Sequence, residues 1–227
     1  LRLAPGLEGS CRLGLVEAAG LRPPVEREEA PEWLAEIVGA AQAAGEAFWP
    51  EGVKRAVRDL LKHGKYRATG RGKPASEFLL NAALTGEFPV VCDLVDVNNA
   101  VSLACGYPAS ILDADLAGPE LLVRRGTTGE AYVFNRAGHA IDLEDLLVVC
   151  RRTGDDWEPC GNPVKDAMAT KVHAGTTSVA AVLYQPVTEP APRLEAACAR
   201  FALLLRAACG AERAAWRVVD ASTVEET

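Results

Sequence analysis

Apolar residues at positions 34, 37, 38, 41 and 44 recur at the three- and four-residue spacing of one helix face, which predicts an amphipathic helix from Trp33 to Ala47. A second helix is expected over Val53 to Leu61. A third should start at Ser76-Glu77 and end at Thr85-Gly86. A fourth, Pro192 to Cys209, gathers Leu194, Ala197, Cys198, Phe201, Leu204, Leu205 and Ala208 on one side and is stopped by Gly210. Short apolar runs predict strands at Arg12 to Val16, 109–112, Leu146 to Arg151, Val179 to Tyr184 and Ala215 to Val219. Two more, Leu121 to Arg125 and Ala131 to Phe134, flank Gly126-Thr127-Thr128-Gly129 and read as a hairpin. Between the strands ending at 151 and starting at 179 the chain is polar and turn-rich. Pro23 to Pro31 and the glycine-rich Gly64 to Lys73 read as loops. Helices early and late around a strand-rich middle predict an α+β, layered α/β, fold.

One segment stands apart. The apolar run Val90 to Val97 reads as a buried strand over 90–95, and Asn98 and Asn99 then stand where a helix would begin, with Gly106 and Pro108 ending it. Asn is a poor interior helix residue and a strong cap. Two in a row exceed the need of one cap, so amide groups are left to face a ligand, or else Asn98 caps and Asn99 bonds a loop.

At 227 residues the chain is long enough for a sizeable core, in one large domain or two intimately packed ones. No apolar run approaches the ~20 residues of a membrane span, so no membrane partner is expected. The N-terminus shows no basic region followed by an apolar core, the pattern of a secretory signal. Seven cysteines, with no C-x-x-C pair and no zinc-like spacing, read as reduced thiols of a cytoplasmic protein. Asp113-Ala114-Asp115 lacks a third ligand, so neither a metal nor another cofactor is expected. His63, His139 and His173 have no Ser or Cys nucleophile setting beside them. The net charge of −7 disfavours general nucleic-acid binding. Yet Lys54, Arg55, Arg58, Lys62, Lys65, Arg67, Arg71 and Lys73 face the single acid Asp59 in one stretch, which reads as a local phosphate-binding patch or as a solvated face.

Val95-Asp96-x-x-Asn99-x-x-x-Leu103, then Gly106-x-Pro108 and Asp113, resembles the B3/B4 domain of the phenylalanyl-tRNA synthetase beta subunit. Tyr66-Arg67, Pro74 to Leu80, Leu122 to Arg125, Gly129-Glu130, Asp166, Thr170 and Thr176 fit the same order. The resemblance spans 54–185, with an N-terminal extension over 1–53 and a C-terminal helix and strand over 186–227. It implies one B3/B4-like domain, a sheet-and-helix half joined to a barrel-like sheet, similar to the free-standing members of that family.

What the family does is hydrolyse a wrong amino acid from tRNA. The resemblance therefore implies an aminoacyl-tRNA deacylase acting in trans, with tRNA as partner and water positioned against an activated ester. Asn98 falls where the bacterial family has Thr, and Asn99 matches its Asn; with Gly161 these are the expected catalytic positions. Cys160-Gly161-Asn162-Pro163 corresponds to a glycine-containing wall whose N–H groups are candidate oxyanion donors, though it also reads as a plain turn. Pro108 matches a pocket proline. Ser110 stands at a pocket histidine position and Met168 near a pocket glutamate, both departures that put tyrosine specificity in doubt. Asp166, Thr170 and Asn162 are the remaining expected substrate contacts. The rival readings are a module that holds tRNA or a free amino acid without turnover, and a structural or regulatory protein that keeps only the fold.

Overall fold

Nine-residue strands β2 (Cys11–Ala19) and β9 (Ser178–Pro186) pair antiparallel along their whole length, in a computed structural model that describes residues 1–220. β10 (Arg213–Val219) joins the outer edge of β2, and β3 (Ala109–Asp113) pairs with β9, giving the order β10-β2-β9-β3. Period two explains why β9 is a continuous apolar run from Val179 to Tyr184. Val179, Ala181 and Leu183 face one core with helix residues, whereas Ala180, Val182 and Tyr184 face another with the second sheet. The layers are therefore helices, sheet, sheet.

The helical layer holds α1 (Glu32–Ala44), α3 (Ala75–Thr85), α4 (Asp93–Cys105) and α6 (Ala191–Cys209). The basic helix α2 (Val53–Leu61) buries Val53, Val57, Leu60 and Leu61 and turns its charges outward. A one-turn helix, α5 (Ala114–Ala117), follows β3. The second sheet has the order β1-β4-β7-β8, built from β1 (Arg2–Leu3), β4 (Leu121–Arg125), β7 (Leu147–Thr153) and β8 (Asp156–Gly161). A separate two-stranded ribbon, β5 (Ala131–Val133) and β6 (Ala140–Asp142), covers a small core of Leu143, Leu146, Val148, Cys150 and Val164.

The mixed α+β expectation holds, and most elements lie where the periodicity put them. Three expectations are corrected. Residues 93–95, read as the end of a strand, open helix α4, and only an isolated bridge at Cys92 remains of the strand 90–95. Helix α4 lies among α1, α3, α6 and β3, and so its period is masked: Asp93, Asp96, Asn98 and Ser102 are buried along with Leu94, Val97 and Val101. Its start is fixed by Asp96, whose Oδ1 accepts the Val91 N–H at 2.9 Å, and its end by Gly106, whose φ of +82° suits a residue without Cβ. The hairpin across 126–129 does not form either. β4 pairs with β7 and β5 with β6, and Gly126 turns the chain between them by bonding Leu146 O. The barrel-like half is an open sheet edged by β1 and β8, and no described sheet closes on itself.

Candidate functional site

Val95, Asn98 and Asn99 are three and four residues apart and share one face of α4. That face, with Ala109 and Ile111 of β3 and the segment 162–172, encloses a cleft of about 150 Å³. Asn98 is 7% exposed; its Nδ2 donates to Ala109 O at 3.4 Å, and its Oδ1 is buried without a hydrogen-bond partner. Asn99 is half-buried at the cleft wall, and its amide makes no hydrogen bond to any described residue. The two amides thus lie inside a helix, in its second turn, and neither is a cap. The position corrects the junction reading, yet both side chains reach the same hollow as Asp166.

Asp166 carries the strongest electrostatic signal in the cleft. Its Oδ2 accepts the Ile111 N–H at 3.1 Å, while Oδ1 is shielded from solvent and lacks a partner of good geometry, although the residue as a whole is only partly buried. Burial pushes the carboxyl up to about 6, against the opposing pull of the Ser110 hydroxyl, the Ile111 and Asn162 N–H groups and the Lys171 charge. A carboxylate that titrates close to neutrality, with one free oxygen, is suited to take a proton from water.

Asn162 lines the cleft, but its side chain is committed. Oδ1 accepts the N–H groups of Val164 and Lys165, both at 2.8 Å, and Nδ2 donates to the Tyr132 hydroxyl, which in turn donates to Lys165 O. Its role is to hold the loop that carries Lys165 and Asp166. Lys165, Lys171 and Tyr132 did not stand out in the sequence, because isolated cations and a strand tyrosine have no diagnostic spacing. The first two line the cleft.

Other expected site residues lie elsewhere. Gly161 pairs with Val149 in the β7–β8 ladder and does not line the cleft, which corrects its assignment as an oxyanion donor. Its lack of a side chain matters differently: a Cβ there would sit 2.9 Å from Asp166 Oδ1 and 3.4 Å from Ser110 Oγ. Gly161→Ala should therefore displace Asp166 and lower any activity that depends on it, with the displacement readable as a shift in the pH profile. Pro108 is buried and its carbonyl accepts the Tyr184 N–H. Ser110 is fully buried against Asn162 O and the Tyr184 hydroxyl, so it contacts the site only through Asp166. Thr170 is buried and donates to Cys160 O at 3.0 Å. Met168 lines a neighbouring hollow of about 650 Å³, which shares Val95, Lys171 and Val172 with the cleft.

The basic stretch is less free than its sequence implies. Lys54 pairs with Glu46, Arg55 with Asp59 and Lys65 with Glu144. Arg58 donates to both Glu77 carboxylate oxygens through Nε and Nη2, and the Glu77 side chain is only 5% exposed. Arg58 is thus a structural residue, and the pair corrects its assignment to tRNA contact. Arg58→Ala should destabilise the fold by about 1.5–3 kcal/mol, measured by urea unfolding, because a buried carboxylate loses its charged partner. Among the described residues Lys62, Arg67, Arg71 and Lys73 have no acidic partner, and Arg67 bonds only Gly64 O and Tyr66 O.

All seven cysteines are free thiols, and burial pushes Cys105 and Cys150 up to about 12, which leaves them protonated near neutral pH. Asp113 caps α5 by accepting the Asp115 and Leu116 N–H groups and also takes the Thr176 hydroxyl, so it is not an open metal ligand. No described group of three His, Cys, Asp or Glu residues is placed to hold a metal ion, and no described helix is long and apolar enough to cross a membrane. Compared with protein-family models and with curated proteins, the chain matches none.

Proposed function

We propose that this chain hydrolyses the ester between an amino acid and the 3′ end of a tRNA, with Asp166 as the general base. The observation that carries the reading is that Asn98 and Asp166, each with a buried Oδ1 that lacks a hydrogen-bond partner, line one cleft together with Asn99, whose amide makes no hydrogen bond to any described residue. Buried acceptors left unsatisfied cost stability and mark a place where a donor belongs. The ammonium of an aminoacyl group supplies donors to Asn98, and the attacking water supplies one to Asp166.

The chemistry needs no protein nucleophile. Water oxygen attacks the carbonyl carbon while its proton passes to Asp166. The oxyanion is met by Asn99 Nδ2, with the positive charge of Lys171 nearby. Collapse of the tetrahedral intermediate breaks the bond to the ribose oxygen, which recovers the proton from Asp166. The products are a free amino acid and a tRNA with its hydroxyl restored. Because the base must be ionised, kcat/KM should rise about tenfold per pH unit below about 6 and level off above it.

The second reading, a binding module for an amino acid or a charged tRNA, is favoured by the same two acceptors, since bound donors would satisfy them with or without turnover. Turnover of a panel of aminoacyl-tRNAs separates the two. Accelerated release of any amino acid, with the stated pH dependence, supports the hydrolase. Tight amino-acid binding by calorimetry with no release of any acyl group supports the module.

A further inference from the structure

The cleft is small for an aminoacyl group together with its nucleotide, and a larger groove of about 810 Å³ adjoins it through Lys165. We propose that this groove, between the 65–72 loop and the β5–β6 ribbon, is the track for an unpaired RNA strand, with a base stacked on His139 and phosphates held by Arg67 and Arg71. The proposal deepens the deacylase reading and rests on it for the direction of the strand, whose 3′ end would arrive at Asn98 and Asp166.

Three features of the lining point to this occupant. The first is a stacking surface: the exposed His139 ring lies nearly parallel to Phe134, with centroids 6.2 Å apart, and Asn135 fixes it through its Nδ1 at 3.0 Å. Aromatic faces bind bases regardless of sequence but are closed to paired, stacked ones. The second is charge. Arg67 and Arg71 are exposed without an acidic partner among the described residues, and the Lys165 ammonium sits 3.9 Å from the Phe134 ring centre. The third is the distribution of acids. Glu144 is ion-paired with Lys65, whereas Asp142 makes no salt bridge among the described residues; its Oδ1 accepts the Glu144 N–H at 3.0 Å, and the Lys65 charge lies within reach of it. A carboxylate outside a salt bridge repels phosphate, but its remaining oxygen can accept a ribose 2′-hydroxyl or a base amino group, so the lining fits a strand that alternates charge with donors. An acidic peptide would offer Asp142 little and leave the rings unused.

The groove also replaces helix α2 as the principal RNA surface, since Lys54, Arg55 and Arg58 are spent on acids. The experiment is fluorescence anisotropy with a short single-stranded RNA bearing a free 3′-hydroxyl, over a range of salt. Arg67→Glu with Arg71→Glu should weaken binding at least tenfold and flatten the salt dependence by roughly the two phosphate contacts removed. His139→Ala should weaken it roughly five- to hundred-fold with little change in salt slope, the signature of lost stacking. Lys54→Glu with Arg55→Glu should have a much smaller effect. All these side chains are at the surface, and circular dichroism with thermal unfolding confirms that each variant folds. RNA affinity that survives both groove variants, or that falls only in the α2 variant, overturns the proposal; so does preferential binding of an acidic peptide. Asp166→Asn keeps the outcomes distinct, because it should abolish hydrolysis while leaving RNA affinity intact. RNA binding through the groove with no hydrolysis by the parent protein would keep the track and reject the deacylase.

Discussion

Asp166→Asn should make this protein more stable at neutral and alkaline pH while lowering ester hydrolysis by roughly two to four orders of magnitude, the usual contribution of a general base. Both effects follow from a carboxyl that titrates near 6 in the folded protein and near its ordinary value when unfolded. Between those values the folded state binds more protons than the unfolded one, so stability falls as pH rises through that window. The ionised carboxylate therefore costs the folded protein about 2 to 3 kcal/mol above the window. Asn removes the charge. Its oxygen can still accept the Ile111 N–H, and its NH₂ faces the side where Ser110 lies. Urea unfolding of both proteins at several pH values checks the claim: the stability gap should be present at pH 8 and close below about pH 4. A gap that is absent, or that widens as pH falls, would show that Asp166 is an ordinary exposed carboxylate.

Asn99→Ala should lower hydrolysis by roughly ten- to a thousandfold, as expected for the loss of a transition-state donor, and should not destabilise the protein. The Asn99 amide makes no hydrogen bond to any described residue, so its removal breaks nothing in the folded state. Ala is also the better residue inside a helix, by up to ~0.7 kcal/mol. The loss should fall on kcat more than on KM, because the oxyanion forms only during reaction. Asn98→Ala differs. It removes the bond to Ala109 O and the acceptor for the ammonium, so KM should rise with less change in kcat. A loss in KM alone for Asn99→Ala would move that residue from oxyanion to ground-state binding.

Much of this was legible in the chain because the elements are partly solvated. α1, α2 and α6 each keep a polar face, and their apolar stripes gave helix positions within a few residues. β9 was legible for the opposite reason: a short, continuous apolar run covered on both faces. α4 misled because it is buried nearly all round, so polar residues that end a helix elsewhere serve inside this one. The adjacency of Asn98 and Asn99 is legible all the same, since two amides in a row are unusual both at a cap and inside a helix, and both side chains line the cleft. β8 has no legible apolar run, because its outer residues alternate with solvent and include Pro159. The commitments of Asn162, Thr170 and Arg58 depend on partners tens of residues away, and local pattern carries no trace of them. The same holds for the near-neutral Asp166, whose titration is set by burial under β3.

The most direct test is single-turnover hydrolysis of a panel of aminoacyl-tRNAs between about pH 5 and about pH 8, by the parent protein and by Asp166→Asn. The account predicts that at least one aminoacyl ester is cleaved well above its spontaneous rate. The rate should climb with pH and level off above about 6, and it should collapse in the variant. Cleavage that is unchanged in Asp166→Asn, or spontaneous rates across the whole panel, would contradict it.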